Sequence, residues 1–492
     1  MSRRTRSRSR RRAQMMLPYQ SAYPSGSRSL TFGPMLLDHQ FENSPFLARI
    51  LWARARIIHS NSPQLINLVH RISLICGPVT PRPTTADENW NRLAMAAWHR
   101  RTSDPLLHDT AAAMTDHQMQ LWLEERSRID GDALIVASRG ADGGALFTAY
   151  EAPQVRGDST STDKGQWING VLVGDHGQPL AYGVATGPEE KAEIQTIPAA
   201  AARLYRHHVR PGQPRGLSEI SAAIDTAQDL FELDELNKAA IKLAASFGIV
   251  ETKDLNDAAP DASSLQAARN GQATANQPPE PFRVNGVTAY EAAPGRRLEI
   301  IHDSRPSNEQ QSYRKALEEA ISLVMGLPPE IVRFLAGLTS AASRTTLQIV
   351  GDWQKDALAA RAPLMSWKWR VFIDCEIAAG RLPRCTDHAG QYDVEWVPRT
   401  SWTIDRGRDG QLAINLAREG LTDADRWCVA TTGKTFVELA EQRINNLARI
   451  RAAAATAGVP LSEVLPGALG STSTPTDQPQ QGEETPTVDN PS

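Results

Sequence analysis

Cysteine is scarce: four residues in 492, at positions 76, 375, 385 and 428, with no C-x-x-C pair. This excludes a disulfide framework and points to reduced thiols in a protein made in a cytoplasm. No run of about 18 apolar residues occurs, so neither a membrane span nor a membrane partner is expected. The first residues, MSRRTRSRSRRRAQ, lack the apolar stretch that a secretory signal requires. Net charge is slight, −3, which does not mark the body as a polyelectrolyte binder. A DNA pathway can nonetheless be lined with either sign. With 41% hydrophobic and 22% charged residues, the chain has a globular composition and room for roughly two to four core-bearing units.

Complete catalytic and metal-binding motifs are missing too. Gly433-Lys434-Thr435 ends like a phosphate loop, but Cys428 occupies the leading glycine position and no apolar β run precedes it. A turn followed by a helix cap explains it more simply. His207-His208 has no third ligand at useful spacing. Asp130-Gly131-Asp132 lacks the rest of a calcium loop and reads as turn chemistry. No catalytic residue, metal or cofactor is therefore expected.

What is present is largely helical. Residues 44–76 form helices with Leu47, Ile50, Leu51, Ile57 and Ile58 on one face, restarted at Pro63. A loop with Pro78, Pro81 and Pro83 follows, then a helical block from Asn89 to Arg128 broken at Asp104-Pro105. The period then changes to two, with strands expected near Ala145–Tyr150, Trp167–Val173 and Pro179–Ala185. Short strands are expected again at Val284–Tyr290 and Arg297–Ile301. Ser307 with Gln310 makes a capping box for a second helix, ended by Gly326. A third long helix spans Arg344 to Gly380, with Pro363 kinking or restarting it. Thr435 with Glu438 caps the last. Both ends read as disordered: an Arg-rich leader, and a Pro/Thr/Gln-rich tail.

The chain is organised around Tyr205–Gly248. A Pro/Gly-punctuated turn holding Gln213, Arg215 and Gly216 leads to Ser218, a candidate N-cap. Ile220, Ile224, Ala227, Phe231, Ala240, Leu243 and Phe247 then recur near helical spacing until Gly248. Such a rod is on the order of 45 Å long. The stretch RPGQPRGLSEISAAI resembles the signature of lambda-type phage portal proteins. A second stretch agrees: Gly170-Val171, Asp175, Gly177, Pro179 and Ala181-Tyr182 resembles that family's hairpin, with the aspartate one position later. Thr339–Arg344 resembles the family's small-residue segment without its tyrosine. Val397–Asp425 resembles a further segment, with Arg406 where the family has proline.

The resemblance implies an α+β portal-type fold: long stem helices, a β-containing wing and clip, and a helical crown, assembled as a ring. Its implied boundaries are a basic tail at 1–30, an N-terminal wing at 31–217, a first stem helix at 218–248 and a clip at 249–306. A second stem helix at 307–326, a tunnel loop region at 327–345 and a second part of the wing at 346–400 follow. A crown at 401–465 and a tail at 466–492 complete the order. It also implies a dodecameric homo-oligomer at the unique capsid vertex of the virion, assembled in the host cytoplasm. Implied partners are double-stranded DNA without sequence preference, the terminase large subunit, the major capsid and scaffolding proteins, and a head-completion adaptor. Lys238, Lys242, Arg333 and Arg344 are the candidates for the DNA channel; ordinary pairing of the rod lysines with Asp234, Glu235, Glu318 or Glu319 is the simpler alternative. Gln213, Arg215, Gly216, Gly170, Asp175, Pro179 and Tyr182 are the structural motif residues. Two further readings stay open: a nucleotide-binding enzyme using Lys434, and a nucleic-acid binder acting through the Arg-rich N-terminus.

Overall fold

The computed structural model describes residues 45–157, 161–162, 165–186, 193–207, 212–246, 282–284, 287–289, 307–332, 339–398 and 406–460. The expected terminal tails, the Glu251–Pro281 excursion, the Arg297–Ile301 strand and the Gly248 stop lie outside them. In order, the elements are α1 (Pro45–Asn61), α2 (Pro63–Cys76), β1 (Val79–Pro83), α3 (Glu88–Thr102), α4 (Pro105–His108) and α5 (Asp116–Asp130). Strands β2 (Asp132–Arg139), β3 (Ala145–Glu151), β4 (Ser161–Thr162), β5 (Gly165–Ile168), β6 (Val171–Val173), β7 (Pro179–Thr186), β8 (Glu193–Pro198) and β9 (Ala202–Arg206) follow. Then come α6 (Ile224–Ser246), the hairpin β10 (Phe282–Val284) and β11 (Val287–Ala289), α7 (Asn308–Val324), α8 (Pro329–Val332), α9 (Ser340–Ala378) and β12 (Val394–Pro398). Helices α10 (Arg406–Arg418), α11 (Ala424–Thr432) and α12 (Phe436–Ala457) close the described chain, which is mixed α+β. Two compact units result, one ending at Arg406 and the other opening at Gly407.

Local chemistry sets the element ends. Ser62 caps α2 ahead of Pro63, whose missing N–H costs nothing at the first helical position. Thr115 and Gln118 form a capping box on α5, and Gly131 ends that helix at φ +98°. The expected boxes of Ser307 with Gln310 and Thr435 with Glu438 both form. Asn169 and Gly170, both at positive φ, make the two-residue turn between β5 and β6. That is the geometry a tightly twisted hairpin requires.

Antiparallel strands build two larger sheets in the first unit, ordered β3-β2-β9 and β4-β5-β6-β7-β8. Their facing sides share a core of Leu134, Val136, Val171, Tyr182, Val184 and Ile197. A second core, under the other side of β2, takes Met119, Leu123, Ile135, Phe147, Tyr205 and Trp367. A third is aromatic, with Trp98 between Trp369 and Phe372 at 5.5 and 5.0 Å between ring centroids. The largest core joins α2, the start of α6, α7 and the first half of α9 through Leu68, Ile72, Ile224, Leu230, Ile321 and Val350. Helix α9 therefore passes from this core to the second and third.

Several expectations change. The proline-rich loop is a strand: β1 pairs with β12, Pro81 opposite Trp396 and Pro83 opposite Val394. A two-stranded sheet has an open edge on every strand, where a residue without an N–H is tolerated. Strands β8 and β9 were not expected. Ser218 does not cap an α-helix; it precedes a 3-10 turn, Glu219–Ala223, and α6 begins only at Ile224. Leu230 is buried where Phe231, 44% exposed, was expected inward. Ile57 is likewise exposed. Of the two readings of Pro363, a restart is not seen; α9 continues through it.

In the second unit, Gly433 is the left-handed cap of α11 and Thr435 is the N-cap of α12. Lys434 Nζ donates to Gln442 Oε1 at 3.0 Å. A helix, not a strand, feeds this turn, so it is not a phosphate loop.

Candidate functional site

The two motif stretches meet at one guanidinium. Arg215 follows the turn that leads from β9 toward α6, and its side chain is 1% exposed. Its Nε donates to Asp132 Oδ2 at 2.7 Å and its Nη2 to Asp132 Oδ1 at 2.8 Å. Nη2 also donates to the carbonyl of Ala152 at 2.9 Å. Nη1 donates to the carbonyls of Val155 at 3.0 Å and Asn169 at 2.6 Å. All five N–H groups of the fork are thus satisfied, the condition under which a buried guanidinium is tolerable. One arginine thereby joins β2, the 3-10 turn after β3 and the β5–β6 turn to the start of the α6 segment.

The neighbouring motif residues serve that arrangement. Gln213 Nε2 donates to the Arg215 carbonyl at 2.7 Å, and the Gly216 N–H donates to Asp132 Oδ2 at 2.8 Å. A Cβ on Gly216 would lie 1.9 Å from the Gly131 carbonyl oxygen, so only glycine allows this approach. Gly170, at φ +83°, packs closely on the backbone of Val155 and Arg156. Tyr182 is buried in the core between the sheets, and burial raises its phenol pKa. Asp175 and Pro179 do not join the cluster; they sit exposed at the β6–β7 hairpin.

Asp130 and Asp132, read from sequence as turn residues, are buried partners of arginines. Arg56 holds Asp130 through Nε at 2.8 Å and Nη2 at 2.7 Å, and reaches Glu151 at 2.8 Å. Burial still leaves the Asp130 carboxyl above its ordinary pKa. Trp52 closes the assembly: its indole donates to the Asp130 carbonyl at 2.7 Å, and Arg215 lies over its ring at 5.4 Å. Only the pairing of two distant segments reveals these partners; no local pattern marks them.

Two more charge clusters lie under β2. Glu124, fully buried, accepts from Tyr205 Oη at 2.6 Å and faces Arg361 at 3.3 Å. Burial alone would raise its carboxyl; Arg361 and Arg128 hold it below the ordinary range. Lys368, also fully buried, pairs with Asp116 at 2.5 Å, with His108 Nε2 3.4 Å from the same carboxylate. Burial, reinforced by Lys368, pushes His108 down to about 3.

The channel candidates are of a different kind. Lys238 and Lys242 are exposed one turn apart on α6. Lys238 pairs with Glu235 at 2.9 Å, while Lys242 makes no hydrogen bond or ion pair among the described residues. On α7, Arg314 bridges Asp234 of α6 and Glu318, both at 3.0 Å, and Lys315 stands 3.8 Å from Glu319. The simpler pairing alternative thus holds for most of the rod cations. Arg344 is exposed near the start of α9. Arg333 lies outside the described residues, as does the Arg-rich leader. His207 faces Glu219 at 3.5 Å, and no group of three metal-ligating side chains forms among the described residues. Nothing described has the arrangement of a catalytic centre; the motif residues hold segments together.

Comparisons with known proteins carry the same motifs further. The family model described as phage portal protein, lambda family, matches residues 43–340. No curated protein matches. Among solved structures, a chain in the neck of a native gene transfer agent particle, computed with C12 symmetry, is 12% identical. The match covers 78% of this chain and 93% of that one at a TM-score of 0.41. An HK97-family phage portal protein from Corynebacterium diphtheriae is 14% identical, covering 61% and 85% of the two chains at a TM-score of 0.29. Matched over well more than half its length, the chain belongs to the lambda family of phage portal proteins.

Proposed function

We propose that this chain is the subunit of a portal ring, twelve copies around a channel, at the unique vertex of a phage capsid. The family is structural, not enzymatic, and the ring acts as a conduit for double-stranded DNA during packaging and ejection. The terminase docks on it and supplies the work of translocation; capsid and scaffolding proteins surround it, and head-completion proteins later seal it. The family match over residues 43–340 carries this reading.

Helices α6 and α7 support it further. Arg314 lies opposite Asp234, and Gln310 shares a groove with Ile241, so the two run antiparallel. They are separated in sequence by the 249–306 segment, as stem helices are by a clip. The wing corresponds to 31–217 with 346–400, the tunnel loop to 327–345 and the crown to 401–465. The exposed cations Lys238, Lys242 and Arg344, with Arg333, then face passing DNA, touching phosphates without sequence preference.

Native mass measurement with negative-stain imaging of the purified chain tests the proposal. Rings with a central hole are expected. A homogeneous monomer at high concentration, persisting with capsid and scaffolding proteins present, would overturn it.

A further inference from the structure

A small cleft beside the Arg215 cluster is unused by the reading above. It encloses about 330 Å³ between α1, the segment after β3 and the β5–β6 turn. Arg49, Trp52 and Arg56 line it from one stripe of α1, and Arg156 and Asn169 line it from the sheet side. Arg56 is already engaged by Asp130 and Glu151. Arg49 is exposed and has no acidic partner among the described residues. Arg156 is held by its Nε, which donates to the Pro153 carbonyl at 2.6 Å. Pro153 itself lines the cleft, as does Pro45 at the start of α1, whose first turn contains no acid.

The telling residue is Asn169. It is only 6% exposed, yet its amide Nδ2 has no hydrogen-bond partner among the described residues. A buried donor left unmatched gives up its hydration for nothing, and folded proteins seldom leave one so. Its main-chain carbonyl accepts from Arg215 and its positive φ is set by the turn, which fixes where the side chain leaves the backbone. A donor without an acceptor, flanked by cations from two other elements, is complementary to an anion.

We propose that this cleft binds a phosphate group, either free or carried on a nucleic-acid backbone. Donors come from three elements: Arg49 of α1, Arg156 after the 3-10 turn, and Asn169 of the β5–β6 turn. A tetrahedral oxyanion offers acceptors in all three directions, whereas a carboxylate offers two oxygens in one plane. The partial positive charge at the α1 N-terminus adds to the attraction. Occupancy would tie α1 to the β5–β6 turn and give the Asn169 amide an acceptor.

The test is thermal melting of the full chain in inorganic phosphate against chloride at equal ionic strength. A saturable rise in Tm specific to phosphate is expected for the wild type. Arg49→Ala, at an exposed position without an acidic partner, should weaken apparent phosphate affinity about tenfold. Asn169→Asp should abolish the response; aspartate tolerates positive φ as asparagine does, so the turn survives. A phosphate response no larger than that to chloride, or one unchanged in both variants, overturns the proposal. A labelled short duplex identifies the source. Duplex binding that phosphate competes with, and that falls in Asn169→Asp, assigns the phosphate to DNA; a duplex indifferent to both assigns it to the free ion.

Discussion

At the base of the two sheets, charge is withdrawn from water and held by fixed partners; along α6 and α7, it stays in water and pairs loosely. Arg215, Lys368 and Glu124 each lie almost completely out of solvent, with partners supplied by other elements. Lys238, Lys242 and Lys315 stay exposed, and the partners they have lie one turn away on the same helix. The two regions use the same residue types for opposite ends. A desolvated ion must be held by several fixed acceptors or it destabilises the fold, so it specifies geometry. A solvated ion contributes little to stability and is free to meet a mobile polyanion. The proposed conduit would need both: a frame that does not yield, and a surface that attracts DNA without gripping it.

The sharpest way to break this contrast is Arg215→Ala. It leaves Asp132 buried and uncompensated and strands three carbonyls. The expected loss is roughly 3–5 kcal/mol, seen as a large fall in the denaturation midpoint. Arg215→Lys should recover little of it, because one ammonium cannot replace a planar five-donor fork. A midpoint within error of wild type would show that the pairing is incidental.

His108 offers a second, pH-dependent test. Burial, with Lys368 beside it, lowers its pKa from an ordinary 6.5 to about 3. Between those values the unfolded chain takes up a proton that the folded chain refuses. Stability from this residue is therefore complete above about pH 6.5 and declines as pH falls, by up to ~1.4 kcal/mol per pH unit. Asp116 acts lower down: burial would raise it, but Lys368 and His108 hold it below the ordinary carboxylate range. Its contribution is lost only as pH falls below about 4. Urea midpoints from pH 8 to 5 should slope downward for wild type and flatten in His108→Gln. Parallel profiles would remove His108 from the account.

The residues behind these two effects were unequally legible in the sequence. Arg215 and Gly216 stand in a motif and could be singled out, but their partner could not. Asp132 follows a glycine in a D-G-D stretch, and local chemistry makes that a turn; tertiary pairing across 83 residues made it a buried anion instead. Helix ends with a reciprocal cap, such as Ser307 with Gln310, were legible because the signal is local. Ser218 misled because the same oxygen-bearing residue also opens a 3-10 turn. Strand β1 was hidden by its own prolines, which argue against a strand unless the pairing partner, more than 300 residues later, is known. Lys368, His108 and Asp116 come from α9, α4 and α5, and no spacing rule unites them.

The smallest expected effect falls on the rods, and it concerns binding rather than stability. Lys238 and Glu235 are fully solvated, so their ion pair only slightly favours both charged forms. Lys238→Ala and Lys242→Ala should leave the melting midpoint unchanged. If these lysines face a channel, each substitution instead takes one cation away from the DNA in every subunit. Log affinity for duplex DNA against log salt should then flatten by about 0.9 for each phosphate no longer neutralised. Arg344→Ala should behave alike, since it too is exposed. An unchanged salt slope with intact rings would mean that the lysine face of α6 looks away from DNA. The loosely paired charges would then serve only to keep the rods soluble, and the contrast between the two regions would be one of burial alone.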